Sequence, residues 1–330
     1  MEITLPMEAK QVAALPDGDG WQFEPKWDGF RCLAFVEQGE VELRSKSGKP
    51  LARYFPEVVA ALERLPDVVL DGELIIPVGP TLSFEALQLR LHPAASRIRR
   101  LASETPARFM LFDHLVDAAA PLSTRRRALE AFYDEHRGGV LRLSPATTDR
   151  AVAGTWLARL GDARDGVVAK RSDAPYRSGE RAMLKIKNLR TADCVVGGYR
   201  IGSRGDEVAS MLLGLYDADG RLHHVGFTSG LAALDKCELT ARLHALRTEQ
   251  SFTVNAPGGP SRWNRGKETA WHPVEPVLVA EVQYDHVTAD RFRHGTAFHR
   301  WRPDKAPRIC RFDQLAVEAR PAVLAAALQP

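Results

Sequence analysis

Cysteine is scarce and unhelpfully spaced. The four present, Cys32, Cys194, Cys237 and Cys310, include no Cys-x-x-Cys pair, so neither a disulfide framework nor a zinc site is expected. Long apolar runs are missing as well: none approaches the roughly 18 residues that span a bilayer. Residues 1–10 lack a basic segment followed by an apolar one, the pattern of an export signal. A cytoplasmic chain is the simplest expectation. There is no internal repeat, no low-complexity tract and little net charge, only +3, which argues weakly for a nucleic-acid partner. The small excess of base lies from Lys185 onward, favouring a basic C-terminal part. Lysine is rare, supplying ten of the 45 basic side chains. Half of those ten, Lys26, Lys170, Lys185, Lys187 and Lys305, fall within the motifs below.

At 330 residues the chain is long enough for two domains, each with its own core. Residues 30–44 alternate aromatic or branched with polar side chains, predicting two strands about a turn at 37–40. Further strands are expected at 68–78, 109–115, 166–170 and 183–187. Helices are expected at 83–92 and 123–136, the second capped by Ser or Thr with Leu129, Phe132 and Tyr133 on its apolar face. A polar stretch at 188–191 separates this pattern from a new apolar run, placing domains at 1–189 and 190–330. The second part predicts several short strands, a hairpin at Asp219-Gly220, a helix at 231–246, a Pro- and Gly-rich loop at 256–266 and strands at 277–283 and 292–301. That order suggests a small barrel of the OB type.

Chemistry enters at Lys26, in EPKWDGFR (24–31), just before a strand. A lysine amine attacks phosphorus only when neutral, and its ordinary pKa is about 10.4. Burial or neighbouring positive charge must lower it for such a role, and Lys185 and Lys187 are candidate neighbours. Five more segments follow in order. Asp71-Gly72-Glu73 lies in a strand whose period of two aims both acids to one face, and its glycine permits close approach of a ligand. Phe112, in FMLFD (109–113), is an aromatic suited to stacking on a base. Asp165 opens DGVVAKR (165–171). Lys185 and Lys187 share one face of MLKIK (183–187), with Leu184 and Ile186 toward the core. RWRPDK (300–305) supplies further cations.

This ordered set resembles the covalent nucleotidyltransferase superfamily, specifically its ATP-dependent DNA ligases. The finer texture, including RYFPEV (53–58), ALQLRLH (86–92) and RTADCVVGGYR (190–200), is most similar to bacterial DNA ligase C, a minimal type associated with repair. The resemblance implies an α+β fold: a nucleotidyltransferase (adenylation) domain of antiparallel sheets with flanking helices, followed by an OB-fold barrel. It implies Lys26 as the nucleophile toward the α-phosphate of ATP, with Glu24 near the adenine, Glu73 on the ribose hydroxyls and Phe112 stacked on the base. Lys185 and Lys187 would neutralise the α-phosphate. Asp165, with Glu73, would hold Mg2+ or in its place Mn2+, a hard ion that prefers oxygen. Arg31 would grip a phosphate near the ribose, in particular the 5′-phosphate of a nick. Arg302 and Lys305 would orient the leaving pyrophosphate. Nicked duplex DNA is the implied substrate, DNA-repair proteins the implied partners, and a monomer acting on the nucleoid the implied form.

Two positions depart from the family pattern. An arginine usually follows the serine at Ser45, where this chain has Lys46, so either Lys46 or Arg44 fills that role; lysine cannot form arginine's two-pronged grip. The fourth motif begins with Asp165 where glutamate is common, which predicts metal contact through water. Met183 stands where relatives place Trp and is expected in the core. The same goes for Trp263, Trp271 and Trp301, and His92, His114, His272 and His294 read as structural. An RNA ligase or a capping-type guanylyltransferase would share the chemistry. A non-catalytic nucleic-acid-binding protein built on the OB part is the alternative from another class.

Overall fold

The computed structural model describes residues 5–79, 81–158, 164–187, 189–202, 205–257, 270–285, 287–288, 290–292 and 295–315. The chain divides into two compact units between Asn188 and Leu189. In the first, the elements are β1 (Ala9–Val12), β2 (Trp21–Trp27), β3 (Phe30–Glu37), β4 (Glu40–Ser45), α1 (Pro56–Leu62), β5 (Val68–Ile75), β6 (Pro77–Val78), β7 (Thr81–Leu82), α2 (Phe84–Arg90), α3 (Ala95–Glu104), β8 (Arg108–His114), α4 (Leu122–His136), β9 (Leu141–Leu143), α5 (Arg150–Ala158), β10 (Arg164–Arg171) and β11 (Met183–Lys187). They build two main sheets, ordered β1-β11-β10-β2 and β4-β3-β5-β8-β9. Pairing is antiparallel except for β1 with β11 and β8 with β9.

Local chemistry explains several of these elements. Gln38 and Gly39 both have positive φ (51° and 81°), the geometry a two-residue hairpin loop requires, so β3 and β4 pair as expected. Ser83 caps α2, its hydroxyl accepting from the Ala86 amide at 3.1 Å. The expected Ser or Thr cap of α4 is not found. Pro121 stands at that position, and the first amides, of Leu122 and Ser123, donate to the carbonyls of Ala174 and Ser172 at 3.0 and 2.9 Å. A loop far downstream in the chain, at Ser172 and Ala174, thus satisfies that helix end. Leu129 is buried, with Phe132 and Tyr133 packed beside it against the core that includes Leu70, Leu74 and Phe109. A second core lies where Phe23, Val167 and Ile186 meet α5, and a third comprises Met7, Leu33, Tyr176 and Met183. Met183 is therefore core, as expected.

The second unit contains β12 (Arg190–Ile201), β13 (Val208–Tyr216), β14 (Leu222–Gly230), α6 (Lys236–Ala245), β15 (His272–Tyr284), β16 (Val287–Thr288), β17 (Arg291–Phe292) and β18 (Thr296–Trp301). Five of its strands close into a barrel ordered β12-β13-β14-β18-β15, with β14 and β18 parallel. Leu239 and Leu243 of α6 enter the barrel core, completing an OB architecture. Three expectations need correction. The helix starts at Lys236, where the Asp235 carboxylate accepts from the Glu238 amide at 2.9 Å; residues 231–234 form a turn closed by Leu234 N–H to Leu231 C=O. The strand expected at 277 begins five residues earlier, at His272. The strand expected at 292–301 is split, since Arg291–Phe292 pairs with β16 and only Thr296–Trp301 joins the barrel. Trp271 packs on Phe252 and Trp301 on Phe298, as expected; Trp263, His294 and most of the loop expected at 256–266 lie outside the described residues.

Candidate active site

A cavity of about 240 Å³ opens in the first unit, walled by both sheets. From one side, β2 supplies Glu24 and Lys26, which alternate onto a common face. β2 is an edge strand of its sheet, where Pro25 can sit without breaking a ladder. Its partner β10 carries a bulge: Arg164 pairs with Trp27 and Val167 with Pro25, so residues 165–166 stand opposite Lys26 alone. A bulge re-aims the chain beside a functional residue. Here it requires glycine, because Gly166 has φ +133° and a Cβ there would lie 1.9 Å from the Ile186 carbonyl oxygen. The side chain of Asp165 lies outside what is described. Lys185 reaches the same cavity from β11, opposite Val168.

The other sheet contributes Arg31 from β3, Glu73 from β5 and Phe112 from β8, and the register sets Arg31 directly opposite Glu73. Lys46, just beyond β4, also lines the cavity and pairs with Glu8 at 3.2 Å. Arg44 does not line it: its guanidinium binds Glu42 and lies 4.6 Å from the Phe35 ring centre. Glu24, Lys26, Arg31, Lys46, Glu73, Phe112 and Lys185 are thus brought together. Lys187, two residues past Lys185, is not on the cavity wall, and Arg302 and Lys305 belong to the second unit. The close approach at Gly72 is not to a ligand space: a Cβ there would meet the Phe109 ring at 2.5 Å and the Met110 carbonyl oxygen at 2.6 Å.

A closed network fixes Arg31. Its Nε and Nη2 donate to the two oxygens of fully buried Asp71, each at 2.6 Å. The Tyr176 hydroxyl donates to Asp71 at 2.6 Å and accepts from the Met7 amide at 2.8 Å, while Arg31 also donates to the Met7 carbonyl at 3.3 Å. Burial works against the Arg31 charge, but Asp71 outweighs it and raises the guanidinium pKa above its ordinary value. So held, Arg31 lies 4.4 Å from the Phe112 ring centre. The neighbouring Glu73 carboxyl is pushed up to about 7 by burial, with Asp28 and Asp71 adding to the effect and Arg31 and Lys26 opposing it.

Lys170 is the functional candidate that motif reasoning left without a role. It is buried with Glu24, their charged atoms 2.8 Å apart. Its ammonium also donates to the Phe112 carbonyl at 3.3 Å and sits 4.8 Å from that ring's centre. Gln22 donates to Glu24 at 2.8 Å. Since Val168 faces Glu24 and Lys170 faces Gln22, Lys170 and Glu24 are diagonal neighbours on one sheet face, a relation visible only once the register is known. Asp71 and Tyr176 were missed as partners of Arg31 for the same reason. No group of three or more His, Cys, Asp or Glu side chains poised for a metal occurs among the described residues. The donor chemistry nevertheless suits a hard cation delivered on phosphates, because a positive ion in the cavity would relieve the burial penalty on Glu73.

A lysine flanked by a bulge, carboxylates and cations in one cleft is the arrangement expected for nucleotidyl transfer, and comparison with known proteins decides the family. Residues 6–187 match the sequence model described as ATP dependent DNA ligase domain, and residues 204–305 match that of the ATP dependent DNA ligase C terminal region. The chain belongs to the ATP-dependent DNA ligases. Aligned over 94% of its length and 93% of the relative's, this ligase is 45% identical to DNA ligase C2 of Mycolicibacterium smegmatis. Over the same shares it is 43% identical to DNA ligase C of Mycobacterium tuberculosis. Among solved structures, one from a study of Lig E DNA ligases shares the fold at 18% identity with a TM-score of 0.53, covering 90% of this chain and 100% of that one.

Proposed function

We propose that this ligase seals breaks bearing a 5′-phosphate and a 3′-hydroxyl through lysyl-AMP and DNA-adenylate intermediates. The carrying observation is the convergence of Lys26, Glu24, Arg31, Glu73, Phe112 and Lys185 on one cavity. In the first transfer Lys26 Nζ attacks the α-phosphorus of ATP; a P–N bond forms, the bond to the bridging oxygen breaks, and pyrophosphate departs with that electron pair. An oxygen of the nick's 5′-phosphate then attacks the same phosphorus, releasing Lys26. Attack by the 3′-hydroxyl on the activated 5′-phosphate closes the backbone and frees AMP.

In this scheme Phe112 stacks on the adenine at a wall stiffened by Arg31 and Lys170, with Glu24 beside the base. Glu73 receives the ribose hydroxyls. Lys185 offsets charge that develops on the α-phosphate, and Lys187, off the cavity wall, adds positive potential from further away. Arg31 and Lys46 grip phosphate, Lys46 as a single point charge. Mg2+ or Mn2+, held by Asp165 and Glu73 together with the phosphates, would supply charge neutralisation to the polyphosphate. Arg302 and Lys305 orient the departing pyrophosphate when the second unit closes. Residues 1–189 serve as the adenylation domain and 190–330 as the OB domain of a monomer that works in cytoplasmic DNA repair, with nicked duplex as substrate and repair proteins as partners.

Incubation with ATP labelled at the α-phosphate and Mg2+ tests the scheme. The wild type is expected to carry label through denaturing electrophoresis, to lose it to added pyrophosphate, and to take none from labelled GTP. Lys26→Ala is expected to take none at all; equal labelling of that variant would sink the mechanism.

A further inference from the structure

In the barrel unit, the two cations assigned to the pyrophosphate are engaged by acids. Arg302 donates through Nη1 to both carboxylate oxygens of Asp193 (3.0 and 3.2 Å), and through Nε and Nη2 to Asp304 (3.0 and 2.8 Å). The Lys305 ammonium donates to Asp193 as well. A third acid, Glu281, lies 3.7 Å from Arg302 Nη1 but is itself bonded to Arg300 at 2.6 Å; the other two differ from each other. Asp304 is local to Arg302 and its side chain is 61% exposed, a pair that water weakens. Asp193 reaches across from β12, its side chain only 8% exposed. Its backbone is pinned too, donating to Gln314 Oε1 at 3.0 Å and accepting from Gln314 Nε2 at 3.2 Å. Arg302 is anchored in turn by its backbone amide, which donates to the Val279 carbonyl at 2.8 Å, and the Lys305 amide donates to the Arg302 carbonyl at 3.1 Å.

We propose that Asp193 is a positioning residue for the first transfer: one fixed carboxylate holds the Arg302 guanidinium and the Lys305 ammonium together as a single pyrophosphate grip. This rests on the assignment of those two cations made above. Without the shared carboxylate, two like charges at the end of long side chains diverge and sample many rotamers, freedom that binding must then remove. With it, the exposed Asp304 is the acid that phosphate oxygens displace. Arg302, Lys305 and Asp193 then remain as a preformed unit of net positive charge.

The test compares two reactions of the full-length enzyme: self-adenylation from ATP, in which pyrophosphate leaves, and sealing of a nick already adenylated on its 5′-phosphate, in which it does not. Asp193→Asn is expected to self-adenylate about tenfold more slowly at saturating ATP while sealing the pre-adenylated nick within about twofold of wild type. Asp193→Glu, which restores the charge, is expected to fall between Asn and wild type. Wild-type self-adenylation by Asp193→Asn, in parallel with slow Arg302→Ala and Lys305→Ala, overturns the proposal, as does an equal loss in both reactions. Should the Asn variant fail to fold, the Glu variant decides: slowed self-adenylation with intact sealing supports the role, and wild-type rates in both refute it. Normal self-adenylation by Arg302→Ala and Lys305→Ala would instead overturn the pyrophosphate assignment itself, an outcome distinguishable because Asp193 is intact.

Discussion

Ionising Glu73 sets the cavity against the stability of its own fold. Its carboxyl is held at about 7 by burial, against about 4.3 in an unfolded chain. Between those values the folded state binds more protons, so stability falls as pH rises from about 4.5 to 7 and stays lowered above that. Glu73→Gln is therefore expected to raise the melting temperature at pH 8, equivalent to about 1–2 kcal/mol because the carboxyl retains an opening to the cavity, and to change little at pH 4.5. Thermal melts of both proteins at the two pH values check this; an equal gain at both would show that ionisation is not the cause. Binding of a non-hydrolysable ATP analogue should weaken in the same variant. Lys170 tests the opposite case, a buried charge that is paired. Lys170→Met strands the Glu24 carboxylate and is expected to cost about 3 kcal/mol or more in urea unfolding. The double variant Glu24→Gln/Lys170→Met should recover much of that loss while still adenylating poorly.

Among the elements, the bulged pairing of β2 with β10 matters most to the site. Gly166→Ala forces a side chain into a left-handed backbone and onto the Ile186 carbonyl, and it is expected to destabilise the protein by about 3 kcal/mol or more. Self-adenylation should fall further than the folded fraction does, because the displaced bulge faces Lys26; measuring both on the same preparation separates the two effects. The elements also show where sequence is legible. The Gln38-Gly39 hairpin is local chemistry, complete within a few residues, and the turn expected at 37–40 reflects that; the Ser83 cap is equally local but is found only in the structure. The helix expected at 123–136 is found at Leu122–His136, but its Ser or Thr cap is not, because its first amides are satisfied by Ser172 and Ala174, and no window around residue 122 contains that information. The helix at 236 was overextended because Leu231 and Leu234 look helical in composition, whereas Asp235 supplies the cap.

For the whole molecule, a net charge of only +3 means that DNA must be held by local groups of cations, not by a broad field. Affinity for a nicked duplex is expected to fall at least about tenfold between 50 and 200 mM salt as counterion release loses its driving force. Self-adenylation, most of whose nucleotide contacts line a cavity, should change less. Parallel binding and labelling measurements across that range check it, and equal sensitivity of the two would contradict the separation of DNA grip from nucleotide chemistry.

Sequence alone determined which side chains are available and in what order: a lysine before Asp-Gly, paired acids on a strand, two lysines at period two and a terminal cluster of cations. Periodicity also assigned their faces. Only tertiary structure decided who meets whom. It chose Lys46 over Arg44 for the cavity, paired Lys170 with Glu24, and tied Arg31 to Asp71 and Tyr176, the last two 105 residues apart. It also set Asp193 against Lys305, separated by 112 residues. A strand's pattern reports a face but not a register, and a shift of one residue exchanges every neighbour. The register here depends on the bulge at residues 165–166 and on the packing of sheets built from distant parts of the chain.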